Sequence, residues 1–130
     1  MLPAGAPPCA IGVDLVHLEQ FARKLAISPG LIARTFTEAE RAAADGFGAG
    51  RRQAFLAGRF AAKEAVLKAL GVGISDVGLT DVEVMAAESG EPVVALRAAA
   101  LRAAAARGLS QFKVSISHDG GFAIAFALLA

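Results

Sequence analysis

Asp14, Glu64, Lys68 and His118 are the side chains whose types and settings in this sequence could do chemistry. Asp14 follows the apolar run Cys9–Val13 and reads as a strand-to-helix junction, where functional groups are often presented; taken alone, the position favours a plain helix cap. Glu64 and Lys68 are four residues apart in a long helical segment, so they share a face, along with Ala57, Phe60, Ala61 and Leu67. A carboxylate among small and apolar neighbours is poorly solvated and wants a cation, either Lys68 or a metal ion. His118 ends a strand beside Asp119 at a hairpin corner, with Val114 and Ile116 on its face. Such a histidine is a hydrogen-bonded structural residue or a catalyst.

Two carboxylates and several cations, with one cysteine and two histidines in the whole chain, favour magnesium over zinc. Magnesium takes one or two carboxylates, keeps several waters and shares phosphate oxygens with a substrate. Nearby arginines and lysines then clamp the remaining phosphate charge. The residues alone therefore suggest magnesium-assisted chemistry on a phosphorylated substrate. Neither a Walker A loop nor a Gly-x-Gly-x-x-Gly run is present, so an ordinary nucleotide fold has no support.

The elements that must position these groups follow from composition and period. A chain of 130 residues is one domain, 1–130. Hydrophobic residues make up 55% of it, but 31 of them are alanine, so bulky core side chains are in short supply. Met1–Ala10 carries three prolines and no lysine or arginine, unlike a secretory signal, and residues 1–8 are expected to be flexible. No apolar stretch reaches membrane-spanning length. The lone Cys9 excludes an internal disulfide framework, and a reducing cytoplasm fits. The net charge of +1 makes no case for nucleic acid. Between Arg51 and Leu70, however, Arg51, Arg52, Arg59, Lys63 and Lys68 face one acid, Glu64. That run is either a phosphate-attracting helix or a solvated face.

The spacing predicts a strand over Cys9–Val13, then a helix capped by Asp14 with Leu15, Leu18, Phe21, Ala22 and Leu25 on its inner side, stopped by Ser28-Pro29-Gly30. Thr37-Glu38-Ala39-Glu40 is a capping box opening a helix to Asp45. Gly46, Gly48 and Gly50 read as a flexible joint. Arg51–Leu70 is the longest helix, ended by Gly71. Strands follow over Asp81–Met85 and Pro92–Leu96 around a Glu88–Gly90 turn, then an Ala-rich helix over Arg97–Arg107. A hairpin over Phe112–His118 and Phe122–Leu128 surrounds Asp119-Gly120-Gly121. Apolar residues lie on both faces of that hairpin, and local helices can cover only one. The sequence therefore predicts an oligomer.

Three segments in order resemble the holo-acyl-carrier-protein synthase family, the small bacterial 4′-phosphopantetheinyl transferases. They are Ile11-Gly12-Val13-Asp14-Leu15-Val16, the run Phe55-Leu56-Ala57-Gly58-Arg59-Phe60-Ala61-Ala62-Lys63-Glu64-Ala65-Val66-Leu67-Lys68-Ala69-Leu70-Gly71, and Val114-Ser115-Ile116-Ser117-His118. Phe36–Glu40 and Gly90-Glu91-Pro92 are also similar to family segments, and the middle run is the most specific. The resemblance implies an α+β fold, an antiparallel sheet packed on a long helix, and a trimer with active sites at the subunit interfaces. It implies coenzyme A as donor and a serine hydroxyl of an acyl carrier protein as acceptor, with adenosine 3′,5′-bisphosphate released. By the same resemblance Asp14 and Glu64 hold magnesium on the pyrophosphate. Lys68 contacts phosphate, steadying the leaving group or assisting proton transfer, and the serine proton goes to Glu64 or to a water on the metal. His118 meets the nucleotide end across the interface. Arg51, Arg59, Gly71, Gly90 and Pro92 match other donor-binding positions, and Arg23 and Lys24 match the basic helix that docks the acidic carrier.

Four residues depart from the family pattern. His17 and Gln20 stand where an acid and an arginine are usual, Glu91 where lysine is frequent, and Asp119 where a small hydroxyl residue is common. None is a proposed metal ligand. The expected carrier is that of fatty acid synthesis. The altered docking helix keeps a polyketide or other secondary-pathway carrier as the alternative, and a silent trimer that binds coenzyme A or a carrier as a rival of another class.

Overall fold

A computed structural model describes residues 5–130; the expected flexibility of 1–8 falls in part outside that range, while residues 5–9 are exposed and belong to no strand. The element order is β1 (Ala10–His17), α1 (Leu18–Ile27), α2 (Gly30–Thr35), α3 (Glu38–Asp45), α4 (Ala49–Leu70), a single 3-10 turn at Leu79–Asp81, β2 (Val82–Ala86), β3 (Pro92–Leu96), α5 (Ala98–Ala106), β4 (Phe112–Asp119) and β5 (Phe122–Leu129). Strands β1, β5 and β4 form an antiparallel sheet with β5 in the middle, and β2 pairs with β3 separately. The α+β class and the sheet on a long helix are as the sequence implies.

The first strand runs further than expected. Gly12, Asp14 and Val16 continue the alternation on one face, so Asp14 lies within β1 and does not cap a helix. His17 takes that role, its Nδ1 accepting the Gln20 N–H at 3.2 Å. Period two prevails because all eight residues of β1 find partners on β5. Ser28-Pro29-Gly30 stops α1 as expected, yet Pro29 also starts α2, which the sequence reading missed. Gly50 is no joint: it sits in the first turn of α4. The capping box at Thr37 and Glu40 and the left-handed Gly71 that ends α4 are both present.

Helix α4 is the axis of the molecule, packed against β1, β5, β4, α1, α3, α5 and β2. Its Ala57, Ala61, Ala62, Ala65 and Ala69 and the inner β5 residues Ala123, Ala125 and Ala127 are all buried. Small residues on both sides let helix and strand approach closely, which is where many of the alanines go. Gly12 is the tightest point: a Cβ there would lie 1.9 Å from the Ala65 carbonyl oxygen. This contact sets β1 directly on the part of α4 that carries Glu64 and Lys68.

The basic run is dispersed by the helix. Lys63 is fully buried, 2.7 Å from Glu40, and its ammonium also donates to the Leu79 and Val82 carbonyls. Glu40 accepts from the Thr37 and Val84 N–H groups, both at 2.8 Å. Every hydrogen of this ammonium and both carboxylate oxygens are therefore used, which a buried ion pair requires. Burial pushes the Lys63 pKa down, and Glu40 opposes that. The pair pins α3 and β2 to α4.

The outer face of the sheet is uncovered. Ile11, Val13 and Leu15 of β1 stand beside Leu128, Phe126 and Ile124 of β5 in register, and all six are exposed, Val13 at 50% and Phe126 at 45%.

Candidate active site

Asp14 reaches the site from β1, on the face turned toward α4, and Glu64 and Lys68 come from α4. Lys68 Nζ lies 3.1 Å from Asp14 Oδ1 and donates to the Val13 carbonyl at the same distance. The two carboxylates border a cleft of about 370 Å³, with Phe21 and Phe60 at its side, their rings stacked 4.8 Å apart. His17 and Gln20 line it too, and His17 is steadied by Phe122, edge to face at 5.0 Å. Burial raises the pKa of Glu64, the charge of Asp14 raises it further, and Lys68 pulls it back.

Such a pair fits a hard divalent cation. Among the described residues no group of three or more histidine, cysteine or acidic side chains converges, so a soft or fully protein-held metal has no set of ligands. Two carboxylates at an open cleft suit magnesium, which completes its shell with water and phosphate.

His118 occupies a second cluster. It shares the inner face of the sheet with Asp14, but on β4, two strands away and two residues out of register. Strand geometry puts the two Cα atoms about 12 Å apart. Its Nε2 donates to the Ala54 carbonyl at 2.9 Å. The ring rests on Gly58, where a Cβ would come within 3.0 Å of Nε2. Arg51, Arg59, Phe47 and Phe55 surround it in a cleft of about 260 Å³. Arg59 is only 9% exposed, and burial lowers its pKa.

The remaining positions are scattered. Gly71 caps α4 within a turn of Lys68. Gly90 and Pro92 lie at the β2–β3 turn and border neither cleft. Arg23 is held by Glu19 at 3.0 Å, whereas Lys24 lines the carboxylate cleft. Glu91 and Asp119 are exposed at hairpin ends. One chain thus assembles Asp14, Glu64 and Lys68, and gathers Arg51, Arg59 and His118 elsewhere. The sequence reading missed Phe47 and the cap made by His17. A polar residue directly before the helical run was the available signal for the cap.

The chain belongs to the 4′-phosphopantetheinyl transferase superfamily, whose family model matches residues 10–127. It is similar to a holo-[acyl-carrier-protein] synthase of Leifsonia xyli, 46% identical over 92% of this chain and 93% of the relative. A Bacillus anthracis holo-(acyl-carrier-protein) synthase solved in complex with CoA (3′,5′-ADP) superposes with a TM-score of 0.79 at 34% identity, covering 95% and 97% of the two chains. The Helicobacter pylori holo-[acyl-carrier-protein] synthase, solved with coenzyme A, gives 0.79 at 26% identity over 92% and 99%.

Proposed function

We propose that this protein is a holo-acyl-carrier-protein synthase, moving 4′-phosphopantetheine from coenzyme A onto a serine hydroxyl of an apo acyl carrier protein. The observation that carries the reading is the meeting of Asp14, Glu64 and Lys68 across the Gly12 contact, in a chain whose relatives bear that name.

Asp14 and Glu64 would hold magnesium. When bound, the ion neutralises phosphate charge and fixes the pyrophosphate for attack. The serine oxygen forms a bond to the β-phosphorus as the bridging bond to the α-phosphate breaks, and adenosine 3′,5′-bisphosphate leaves. Glu64, at the border of the cleft, or a water beside it would take the serine proton. Lys68, with its side chain 56% exposed, is free to swing from Asp14 to the departing phosphate and offset its charge.

Arg51, Arg59 and His118 line a cleft separate from the one that Asp14 and Glu64 border. A trimer packed through the bare outer face of the sheet joins one protomer's carboxylates to its neighbour's arginines. Residues Gly71, Gly90 and Pro92 then border the donor at that interface. Carrier docking falls to α1, with Lys24 beside the cleft and Arg23 partly masked by Glu19. A carrier of fatty acid synthesis in the cytoplasm is the expected partner; the departures at His17 and Gln20 keep a polyketide carrier as the second reading.

Intact-protein mass spectrometry of apo carrier incubated with this protein, coenzyme A and magnesium tests the proposal. A chelator-sensitive gain of one phosphopantetheine is expected. No gain on fatty-acid and polyketide carriers alike would leave only a silent binding domain.

A further inference from the structure

Four side chains beside the N-terminal half of α4 form a continuous stack. The Arg51 guanidinium lies 4.5 Å over the Phe47 ring, Phe47 is 5.2 Å from Phe55, and Arg59 lies 4.2 Å over Phe55. Among the described residues neither guanidinium is within 4.0 Å of a carboxylate, and the buried Arg59 Nε has no hydrogen-bond partner. Aromatic faces attract a cation without neutralising it. The stack therefore aims two positive charges and leaves both available to an anion.

Phe47 is the least expected member. It lies between Gly46 and Gly48 in the connector from α3 to α4, held by its N–H to the Ala44 carbonyl at 3.1 Å. Arg59 is fixed by burial, but Arg51 is exposed and would otherwise sample many rotamers. Ordering such a side chain in advance reduces what binding must spend on it.

We infer that Phe47 is a positioning residue for the donor: its ring holds Arg51 in place, alongside Arg59, to receive the ribose 3′-phosphate of coenzyme A. The inference rests on the reading of the reaction given above. Coenzyme A carries a pyrophosphate and a phosphate monoester. The carboxylates and Lys68 account for the first, and paired guanidiniums match the fork geometry of the second.

The test compares coenzyme A with dephospho-coenzyme A, which lacks the 3′-phosphate, in transfer assays on the full chain. Phe47→Leu keeps apolar bulk and removes the aromatic face. It should raise KM for coenzyme A by about two- to fivefold, the range of an exposed cation–π contact, with kcat and melting temperature unchanged. KM for dephospho-coenzyme A should not move, and Phe47→Tyr should restore wild-type behaviour. An equal rise for both donors, a loss confined to kcat, or no change at all would overturn the inference. Should Phe47→Leu fold poorly, Arg51→Lys replaces it: preference for coenzyme A over its dephospho form should fall by a similar factor, and undiminished preference overturns the assignment. Wild-type protein that transfers from both donors with equal KM sinks this inference alone. Wild-type protein that transfers from neither removes the reading of the reaction and this inference together.

Discussion

Lys68 Nζ sits 3.1 Å from Asp14, fifty-four residues away, and does not bond Glu64, its neighbour one turn back on the same helix. The lysine thereby neutralises one carboxylate of the pair and leaves the other in partly buried surroundings with its pKa raised. Among the described residues the cleft thus pairs Asp14 with a lysine and leaves Glu64 without an ion-pair partner.

Glu64 therefore ties stability to pH. Its folded pKa is above its unfolded value, so the folded state holds the proton more tightly. The metal-free protein should lose stability as pH climbs from the ordinary glutamate range through the raised value. Glu64→Gln removes that component, so metal-free E64Q should melt above wild type at neutral pH. Magnesium should raise the melting temperature of wild type and not that of E64Q, and E64Q should transfer nothing. Thermal melts with and without magnesium across pH 4–8 check all three expectations; E64Q that retains transfer at saturating magnesium would remove Glu64 from the site.

Gly12→Ala should separate β1 from α4. The new methyl would meet backbone atoms of Ala65 and Ala69, which cannot rotate away. Overpacking of this kind costs about 3 kcal/mol, measurable by urea denaturation. Because Asp14 is two residues along the same strand, transfer should also fall by about 100-fold under conditions where the variant is still folded.

Phe126→Asp places a charge at the centre of the outer sheet face, opposite Val13 and Ser115. The side chain is exposed in the single chain, so the fold should survive, with an unchanged circular dichroism spectrum. Sedimentation should show trimers for wild type and monomers for the variant, and transfer should be lost as the two half-sites part. A monomeric, fully active variant would locate the whole site within one chain.

Lys63→Met should be severely destabilising, by about 3–5 kcal/mol, because it strands the buried Glu40 without a cation. The double variant Glu40→Gln with Lys63→Met should recover part of that loss. Equal stability of the single and double variants in urea would show that hydrogen bonds to backbone, and not the charge of Glu40, set the cost.

Much of this was legible in the residues. The capping box at Thr37, the Gly71 stop, the two hairpins and the shared face of Glu64 and Lys68 depend on neighbours within a few positions, and local rules read them. The bare outer face of the sheet was legible for the same reason: Phe122, Ile124, Phe126 and Leu128 alternate with alanines, and period two assigns them to one side. What the sequence alone could not decide was the identity of partners. Arg51, Lys63 and Lys68 belong to one basic run, yet one stacks on Phe47, one is sealed against Glu40 and one bonds Asp14. A helix packed on nearly every side presents no single polar face, so its charges are sorted only by the elements laid against it. The extent of β1 was decided the same way. Asp14 read as the helix cap, and the eight-residue pairing with β5 carried the strand past it and left the cap to His17. Local chemistry chose the site's ingredients, and long-range packing chose which of them meet.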